Sequence, residues 1–432
     1  MQITIYRGTK EIGGTLIELK SGNSRILIDA GYPLFLNAKP IEDEVSSYPY
    51  NKLLELGVLP DIKGLYSWDL PKFDAVIISH AHIDHYGLLH YINPAIPVYL
   101  SKGTKKIIEI SALFMLPVQP LFGSREFTMY KPFQISNFKI MPFLMDHSAF
   151  DAAAFEISDN EKTIIYTGDF RGHGRKAVCL ERFINKAKKG ADALLTEGTM
   201  FGRLDEEVMT EQELEERLVK KIEDFRGPVL FQSSSQNIDR LVSFYRAASR
   251  LGRIFVIDVY TANILYELRL LGNNHLPYPS GDYPNIKVFY PYRLTQKIFN
   301  KIGEEYAKRF SPFYIPKDKL REEQNKVVMA SRPSMRRDIE IAGLQNGLFV
   351  YSLWNGYRDS EYQREFENCL DKSGFIVDVL HTSGHATVSD IRRVITELEP
   401  KQIIPIHTMK PDSFIGISEN VVLKEDGKEF NI

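Results

Sequence analysis

The sequence has little cysteine, no long apolar run and almost no net charge, and each deficit excludes a class of protein. Its 432 residues include two cysteines, Cys179 and Cys369, and neither stands in a Cys-x-x-Cys pair. Two such residues cannot form a disulfide framework. We therefore interpret them as reduced structural thiols of a cytosolic protein.

Membrane and secreted classes are also disfavoured. No apolar run approaches the roughly 20 residues that a membrane-spanning helix needs. The first ten residues, MQITIYRGTK, lack the apolar segment of a signal peptide. A formal net charge of −2 argues against a broadly basic nucleic-acid-binding surface, although it does not exclude a basic groove. We expect a cytoplasmic protein with no membrane partner.

The pattern of strands and helices changes twice along the chain. Short strand patterns, beginning with ITIY, TLIELK and SRILIDAG, dominate residues 1–202. Strands alternate with amphipathic helices over residues 203–371, as in a parallel sheet covered by helices. Strands that carry histidines return over residues 372–432. We predict one catalytic domain, made of the first and last segments, with an inserted α/β domain between them.

The most informative segment is HAHIDH, residues 80–85, which follows the apolar run DAVIIS. In an extended segment His80 and His82 point to the same side. Asp84 and His85 follow where a helix begins, so all four side chains can converge on one point. Imidazole and carboxylate are ligands of zinc and manganese. The sequence predicts a metal site; the alternative is a polar helix entrance with incidental histidines.

Further histidines and aspartates stand where other apolar runs end. They are Asp29, His147, Asp169, His381, His385 and His407. One such residue is more often a cap or a satisfied polar group than a ligand. Here seven of the ten histidines lie at these ends or in HAHIDH, which favours a shared site. The remaining histidines receive no ligand role: His90, His173 and His275.

The order of these motifs resembles the metallo-β-lactamase superfamily. Its motifs correspond here to Asp29, HAHIDH, His147, Asp169 and His407. Glu197 in LLTEGTMFG, His385 in HTSGHA and His407 in PIHT resemble the β-CASP branch, which includes ribonuclease J and the pre-mRNA 3′-end-processing endonuclease. The resemblance covers nearly the whole chain. It implies an α/β fold, an αββα sandwich with an inserted parallel-sheet β-CASP domain.

The resemblance also implies a role for each motif residue. The ligands of one metal ion would be His80, His82 and His147. The ligands of a second ion would be Asp84, His85 and His407. Asp169 would bridge the two ions, and Asp29 would orient a ligand. His385 would act as general acid or phosphate donor with support from Glu197, and Asp84 is assigned to the catalytic group with them.

A phosphate site is a separate prediction. The run QSSSQNIDR stands between a strand and a helix start, where hydroxyl and backbone N–H groups can bind phosphate. The alternative for the serines is an ordinary helix cap, and the alternative for His381 is a loop-capping role. The predicted phosphate contacts are His381, Ser233, Ser234, Ser235 and Arg332.

The implied activity is a metal-dependent ribonuclease that cleaves RNA from a 5′ end, internally, or in both ways. RNA-processing members carry histidine at the position of His407, where DNA-repair members commonly carry valine. We expect two divalent ions per chain, Zn²⁺ with Mn²⁺ as the alternative, and RNA as the partner. A homodimer or an RNA-processing complex stays open. The rival functions are a small-molecule hydrolase, a DNA nuclease of the same branch and a non-catalytic RNA-binding subunit.

Overall fold

The structure is a computed structural model that describes residues 1–36, 39–114, 123–203, 208–272 and 275–432. Its first strands are β1 (Gln2–Arg7), β2 (Leu16–Ser21), β3 (Ser24–Ile28), β4 (Phe35–Leu36), β5 (Lys39–Pro40), β6 (Ala75–Ile77), β7 (Val98–Ser101) and β8 (Arg125–Phe127). The next are β9 (Phe133–Ile135), β10 (Phe138–Leu144), β11 (Ala153–Ser158), β12 (Thr163–Tyr166) and β13 (Ala193–Glu197). The last are β14 (Val229–Gln232), β15 (Ile254–Asp258), β16 (Ile286–Phe289), β17 (Val327–Ala330), β18 (Leu348–Tyr351), β19 (Ile376–Val379), β20 (Ile403–Ile406) and β21 (Glu429–Asn431).

The helices follow the same chain order. They are α1 (Tyr50–Glu55), α2 (Ile83–Tyr86), α3 (Lys102–Phe114), α4 (Val178–Lys186), α5 (Glu211–Ile222), α6 (Ile238–Arg250), α7 (Val259–Leu270), α8 (Tyr292–Ile302), α9 (Glu304–Ala307), α10 (Lys317–Glu322), α11 (Arg336–Ala342), α12 (Glu361–Lys372) and α13 (Val388–Leu398). Within the described ranges no helix is long and apolar enough to cross a membrane.

Two mixed sheets pack face to face. The first has the order β21-β1-β2-β3-β6-β7-β8, and the second has the order β20-β13-β12-β11-β10-β9. Alternate residues of each strand point to one face, and Ile5 and Ile17 of the first sheet share a buried cluster with Ile140 and Phe155 of the second. The opening strands β1, β2 and β3 pair antiparallel.

Helices cover the outer faces of this sandwich. Phe183 of α4 and Ile391 of α13 pack in one buried cluster with Ile165 of the second sheet. On the other side, Ile107 of α3 shares a cluster with Leu27 of the first sheet. The layers are therefore helix, sheet, sheet, helix, which confirms the predicted αββα fold class.

The third sheet consists of parallel strands in the order β16-β15-β17-β14-β18-β19. Its strands lie between the two parts of the sandwich in the sequence, as the alternating pattern predicted. The division of the chain at residues 202 and 371 stays a prediction. Because Ile376–Val379 pairs with β18 in this sheet, we propose that the second boundary follows Val379.

Candidate metal centre

The predicted site residues lie where strands of both sheets end. Asp29 directly follows β3. Two residues separate His147 from the end of β10, and two separate Asp169 from the end of β12. His80 follows β6, and His407 comes directly after β20. Asp29 and His407 adopt positive φ angles of 58° and 49°, and such left-handed conformations cluster at functional sites. These bends turn the chain sharply where each strand leaves its sheet.

Four overlapping groups of the described side chains could hold a metal ion, and two of them, of three residues each, match the predicted ligand sets. The ligand atoms within each group lie within 4.8 Å of one another. The members of the first group are His80, His82 and His147. The members of the second group are Asp84, His85 and His407. These are the two sets that the motif order predicted, and the fold brings them together.

Asp169 lies between the two groups. Its Oδ2 atom is 3.9 Å from Nε2 of His80 and 3.2 Å from Nε2 of His85. The same oxygen is 3.9 Å from Nε2 of His147, and Oδ1 is 3.7 Å from Nδ1 of His407. A carboxylate in this position can contribute one oxygen to each group.

Hydrogen bonds on the far side of each ring leave nitrogen atoms available to a metal ion. His80 donates Nδ1–H to Oγ of Ser79 at 3.0 Å, because that hydroxyl itself donates to Asp29. His85 donates Nδ1–H to Oδ2 of Asp29 at 2.8 Å. Within the described residues, the buried Nε2 atoms of His80 and His85 make no hydrogen bond. Buried polar atoms are rarely left in that state, so the donor set fits a metal ion.

His82 and His147 face each other. Nε2 of His147 lies 3.1 Å from Nδ1 of His82, while Nδ1–H of His147 donates to the carbonyl oxygen of Gly384 at 2.6 Å. Burial lowers the pKa of His82 to about 4 and that of His147 well below its ordinary value. Both rings are therefore neutral at pH 7 and offer lone pairs, the state that a metal ligand requires.

The two carboxylates beside His85, those of Asp169 and Asp29, raise the pKa of its ring. Burial alone would lower the pKa of His85, but Asp169 and Asp29 raise it well above the ordinary value. A proton on Nε2 would compete with a metal ion, so binding there releases that proton. The same Asp29 carboxylate also accepts a 2.7 Å bond from the backbone N–H of Ser79 and a 2.5 Å bond from the Tyr166 hydroxyl. Asp29 thereby fixes the orientation of the His85 ring.

His385 and Glu197 form a second pair beside these groups. Nδ1 of His385 lies 3.1 Å from Oε2 of Glu197 and 3.7 Å from Oδ2 of Asp169. Glu197 is held in turn by the backbone N–H groups of Phe170 and Ala386. Burial lowers the pKa of His385, but the charge and hydrogen bond of Glu197 together with the charge of Asp169 raise it above the ordinary value. His385 can therefore hold a proton at neutral pH.

A buried arginine network supports the loop that carries His385. Arg240 donates to the carbonyl oxygen of Thr382 at 3.0 Å, and Arg171 donates to that of Ser383 at 3.3 Å. The Ser383 carbonyl also accepts a 2.8 Å bond from His173. Since Gly384 of the same loop orients His147, these residues connect the loop to one group of candidate ligands. Sequence reasoning gave His173 no role, and it missed both arginines.

The five predicted phosphate contacts separate into two sets. His381 and Ser234 line a cavity of about 400 Å³, which four of the candidate metal ligands also line: His82, Asp84, Asp169 and His407. Ser233, Ser235 and Arg332 are not among the described residues that line it. Arg332 pairs with Asp258 and donates to Ser235 at 3.2 Å, so the Arg332 guanidinium and the Ser235 hydroxyl already have partners within the chain. We therefore restrict the phosphate-contact proposal to His381 and Ser234.

Comparison with known proteins places this geometry in a family. The family model for the beta-lactamase superfamily domain matches residues 59–226, and the model for the Zn-dependent metallo-hydrolase RNA specificity domain matches residues 372–413. The two matches together include all seven candidate ligands: six, from His80 to Asp169, lie in the first, and His407 lies in the second. Residues 59–226 belong to the metallo-β-lactamase superfamily. As a whole, the chain is similar to the β-CASP, ribonuclease-J-like branch.

Relatives within this superfamily align along most of the chain. Ribonuclease J of Helicobacter pylori (strain B128) is 24% identical, over 100% of this chain and 60% of its own length. Ribonuclease J of Sinorhizobium meliloti is 25% identical, over 81% of this chain and 60% of its own length. Transcription termination factor FttA of Methanothermobacter thermautotrophicus is 26% identical, over 65% of this chain and 45% of its own length. The chain thus spans about 60% of the length of these ribonuclease J relatives.

A solved structure shows the same fold. The crystal structure of a protein of unknown function from Enterococcus faecalis V583 superposes with a TM-score of 0.78 and 23% identity. The match covers 99% of each chain. The sandwich and the inserted sheet of this superfamily member are therefore found together in an experimental structure.

Three supporting groups of the metallo-β-lactamase site carry no sequence signal that we used. Ser79 bridges Asp29 and His80, and Thr199 lies 3.0 Å from Nδ1 of His407 through its hydroxyl. The third group is the Gly384 carbonyl, which any residue type would present. Ser79 could have been found from the sequence, because it stands directly before HAHIDH. The other two depend on contacts between distant parts of the chain.

We expect Asp29→Asn to weaken metal binding about 10- to 100-fold, which is the usual cost of losing a partner that orients a ligand. An asparagine amide cannot accept all the bonds that Ser79, His85 and Tyr166 now donate to the carboxylate. Competition with a chromophoric zinc chelator measures the change. Asp74→Asn, at the opposite end of β6, is the matched control. Equal metal affinities in the two variants would contradict the assigned role of Asp29.

Proposed function

We propose that this chain is a metal-dependent ribonuclease that hydrolyses phosphodiester bonds of RNA. The observation that carries the proposal is the position of Asp169 between two three-ligand groups in a cavity of about 400 Å³. The ribonuclease J relatives and the match to the RNA specificity domain support RNA as the substrate. A single-stranded or 5′-end-accessible RNA is the form that we expect.

The proposed cofactor is a pair of divalent ions, Zn²⁺ with Mn²⁺ as the alternative. His80, His82 and His147 would hold one ion, the second group would hold the other, and Asp169 would bridge them. When bound, such a pair generates a nucleophile from water at neutral pH and polarises the phosphoryl group. The imidazole and carboxylate donors suit either metal.

The chain's own residues would complete the site. His385, whose pKa is raised by Glu197 and Asp169, faces the cavity and, when protonated, can donate a hydrogen bond to a phosphoryl oxygen or a proton to the leaving oxygen. The buried Glu197 holds the ring through Nδ1, which leaves Nε2 as the donor. His381 and Ser234, on the cavity wall, would contact a neighbouring phosphate. Burial lowers the pKa of His381 to about 3, so this contact would be a neutral hydrogen bond.

The proposal is tested with end-labelled single-stranded RNA and DNA of matched sequence. We expect cleavage of RNA with added Zn²⁺ or Mn²⁺, and its loss with a chelator or in the double variant Asp84→Ala/His85→Ala. The product ladder separates removal of single nucleotides from the 5′ end from internal cleavage. A homodimer or an RNA-processing complex stays a prediction, which the mass of the purified protein in solution would test.

The rival functions predict other outcomes. Cleavage of DNA in preference to RNA would support the DNA nuclease. Failure to cleave either polymer while two ions are bound would support a small-molecule hydrolase. Absence of bound metal after purification with added zinc would overturn the metal-dependent proposal and favour a non-catalytic subunit.

A further inference from the structure

The cavity has an aromatic and cationic wall that the candidate metal centre does not explain. The guanidinium carbon of Arg203 lies 3.9 Å from the centre of the Trp354 ring. The Tyr357 ring meets the same indole edge-on, with ring centres 5.3 Å apart and an angle of 90°. All three residues line the cavity, and 56% of Tyr357 is exposed. We call Arg203, Trp354 and Tyr357 the aromatic wall.

The aromatic wall and the candidate ligands enclose the same space. Asp84, Asp169 and His385 line the cavity together with these three residues. Trp354 and Tyr357 follow β18 of the third sheet, whereas the ligands follow strands of the sandwich. A bound molecule that reaches the ligands therefore lies against both parts of the chain.

The chemistry of the wall matches one component of a nucleotide. Unpaired bases stack on aromatic rings and on arginine guanidinium planes, whatever their sequence. The positive charge of Arg203 favours an anionic ligand such as a phosphodiester, and it disfavours an organic cation. A base inside a duplex already stacks on both faces and pairs along its edge, so it has no face to offer. The cavity volume is within the range of small-ligand sites, about 300–1,000 Å³.

We propose that the aromatic wall binds an unpaired nucleobase next to the phosphate that reaches the candidate metal centre. This inference rests on the proposed ribonuclease function, and it narrows the substrate class to single-stranded nucleic acid near the cleaved bond. The wall would fix the position of the nucleotide through the base face, without selecting which base it is.

Tryptophan fluorescence tests the stacking without any need for catalysis. The chain contains two tryptophans, and Trp68 stacks between Tyr50 and Tyr66, with ring centres at 4.3 Å and 4.7 Å. The full-length Trp68→Phe protein therefore reports on Trp354 alone. We expect adenosine 5′-monophosphate to quench its emission saturably, while ribose 5-phosphate, which lacks the base, leaves it unchanged. No quenching by either ligand, or equal quenching by both, would overturn the proposal.

Affinity and kinetics provide a second test. Trp354→Ala is expected to weaken adenosine 5′-monophosphate binding, measured calorimetrically, about 5- to 150-fold, the range that corresponds to the loss of one base stack. Trp354→Phe keeps an aromatic ring and should retain most of the affinity, which separates stacking from misfolding. On single-stranded RNA, Trp354→Ala should raise KM more than it lowers kcat. Equal affinity in the alanine variant would overturn the proposal.

The outcomes also distinguish this inference from the proposed function. Quenching by the nucleotide without RNA cleavage would sustain the base-binding wall while the ribonuclease proposal fails. RNA cleavage with an unchanged KM in Trp354→Ala would sustain the ribonuclease and overturn the wall. An RNA with an abasic residue beside the cleaved bond should bind wild type more weakly than the intact RNA does. The Trp354→Ala variant should bind the two RNAs with equal affinity.

Discussion

Replacing Arg171 by methionine is expected to lower the free energy of unfolding by about 3–5 kcal/mol, because it leaves buried carboxylates without their shared cation. Arg171 is completely buried, and it lies 3.1 Å from Asp146, 3.4 Å from Glu211 and 2.7 Å from Asp239. These partners belong to the sandwich and to α5 and α6, so the arginine connects the two parts. The midpoint of denaturant-induced unfolding, followed by circular dichroism, measures the loss.

Arg393→Met is the matched control for this prediction. Arg393 also pairs with carboxylates, those of Glu181 and Glu397, but its side chain is 39% exposed. Exposed ion pairs contribute about 0–1 kcal/mol, so this variant should unfold close to wild type. If Arg171→Met were as stable as Arg393→Met, the buried network would not hold the two parts together.

Asp169→Asn is expected to reduce RNA cleavage about a thousandfold or more and to reduce the number of bound metal ions. The carboxylate stands between the two candidate metal groups, at 3.2 Å from His85 and 3.9 Å from His80 and His147. An amide has no negative charge with which to bridge two cations, and the loss of transition-state stabilisation is several kcal/mol. Steady-state cleavage rates and metal content by mass spectrometry provide the two measurements.

His385→Ala separates loss of metal from loss of proton donation. The ring belongs to neither of the two predicted ligand sets. It also groups with Asp169, Glu197 and His407, but there Glu197 already engages its Nδ1 atom. The His385→Ala variant should therefore retain the wild-type metal content while its kcat falls about 10²- to 10⁴-fold, the usual contribution of a general acid.

Full metal content and wild-type cleavage in the Asp169→Asn variant would refute the bridging role of Asp169.

The HAHIDH motif illustrates which parts of the site the sequence predicts well. His80, His82, Asp84 and His85 occupy a strand end and the first turn of α2, so local geometry alone brings them near one point. The order of motifs added Asp29, His147, Asp169 and His407, and the structure places all of them at the same edge of the two sheets. Their roles as ligands stay predictions that the metal-binding experiments test.

Local signals do not show which side chains have a partner elsewhere in the chain. Ser235 and Arg332 stand at helix starts that resemble phosphate sites, yet Arg332 pairs with Asp258 of β15. Arg171 and Arg240 received no prediction from the sequence, because burial of an arginine leaves no periodic pattern. Trp354 and Tyr357 lie in a segment after β18 that the strand and helix patterns did not mark.

The sequence by itself determined the inserted parallel sheet and the HAHIDH segment, because strand–helix alternation and short motif spacing are local properties. The order of the motifs along the chain, through its resemblance to a known superfamily, added the αββα fold class and the other candidate ligands. Only the tertiary structure decided which hydroxyl, carbonyl and carboxylate groups orient those residues, and which side chains form the aromatic wall. Those contacts join residues separated by long stretches of chain, such as His147 and Gly384 or Arg171 and Ser383. They exist because the two sheets and the inserted domain pack against one another, and no local pattern encodes that packing.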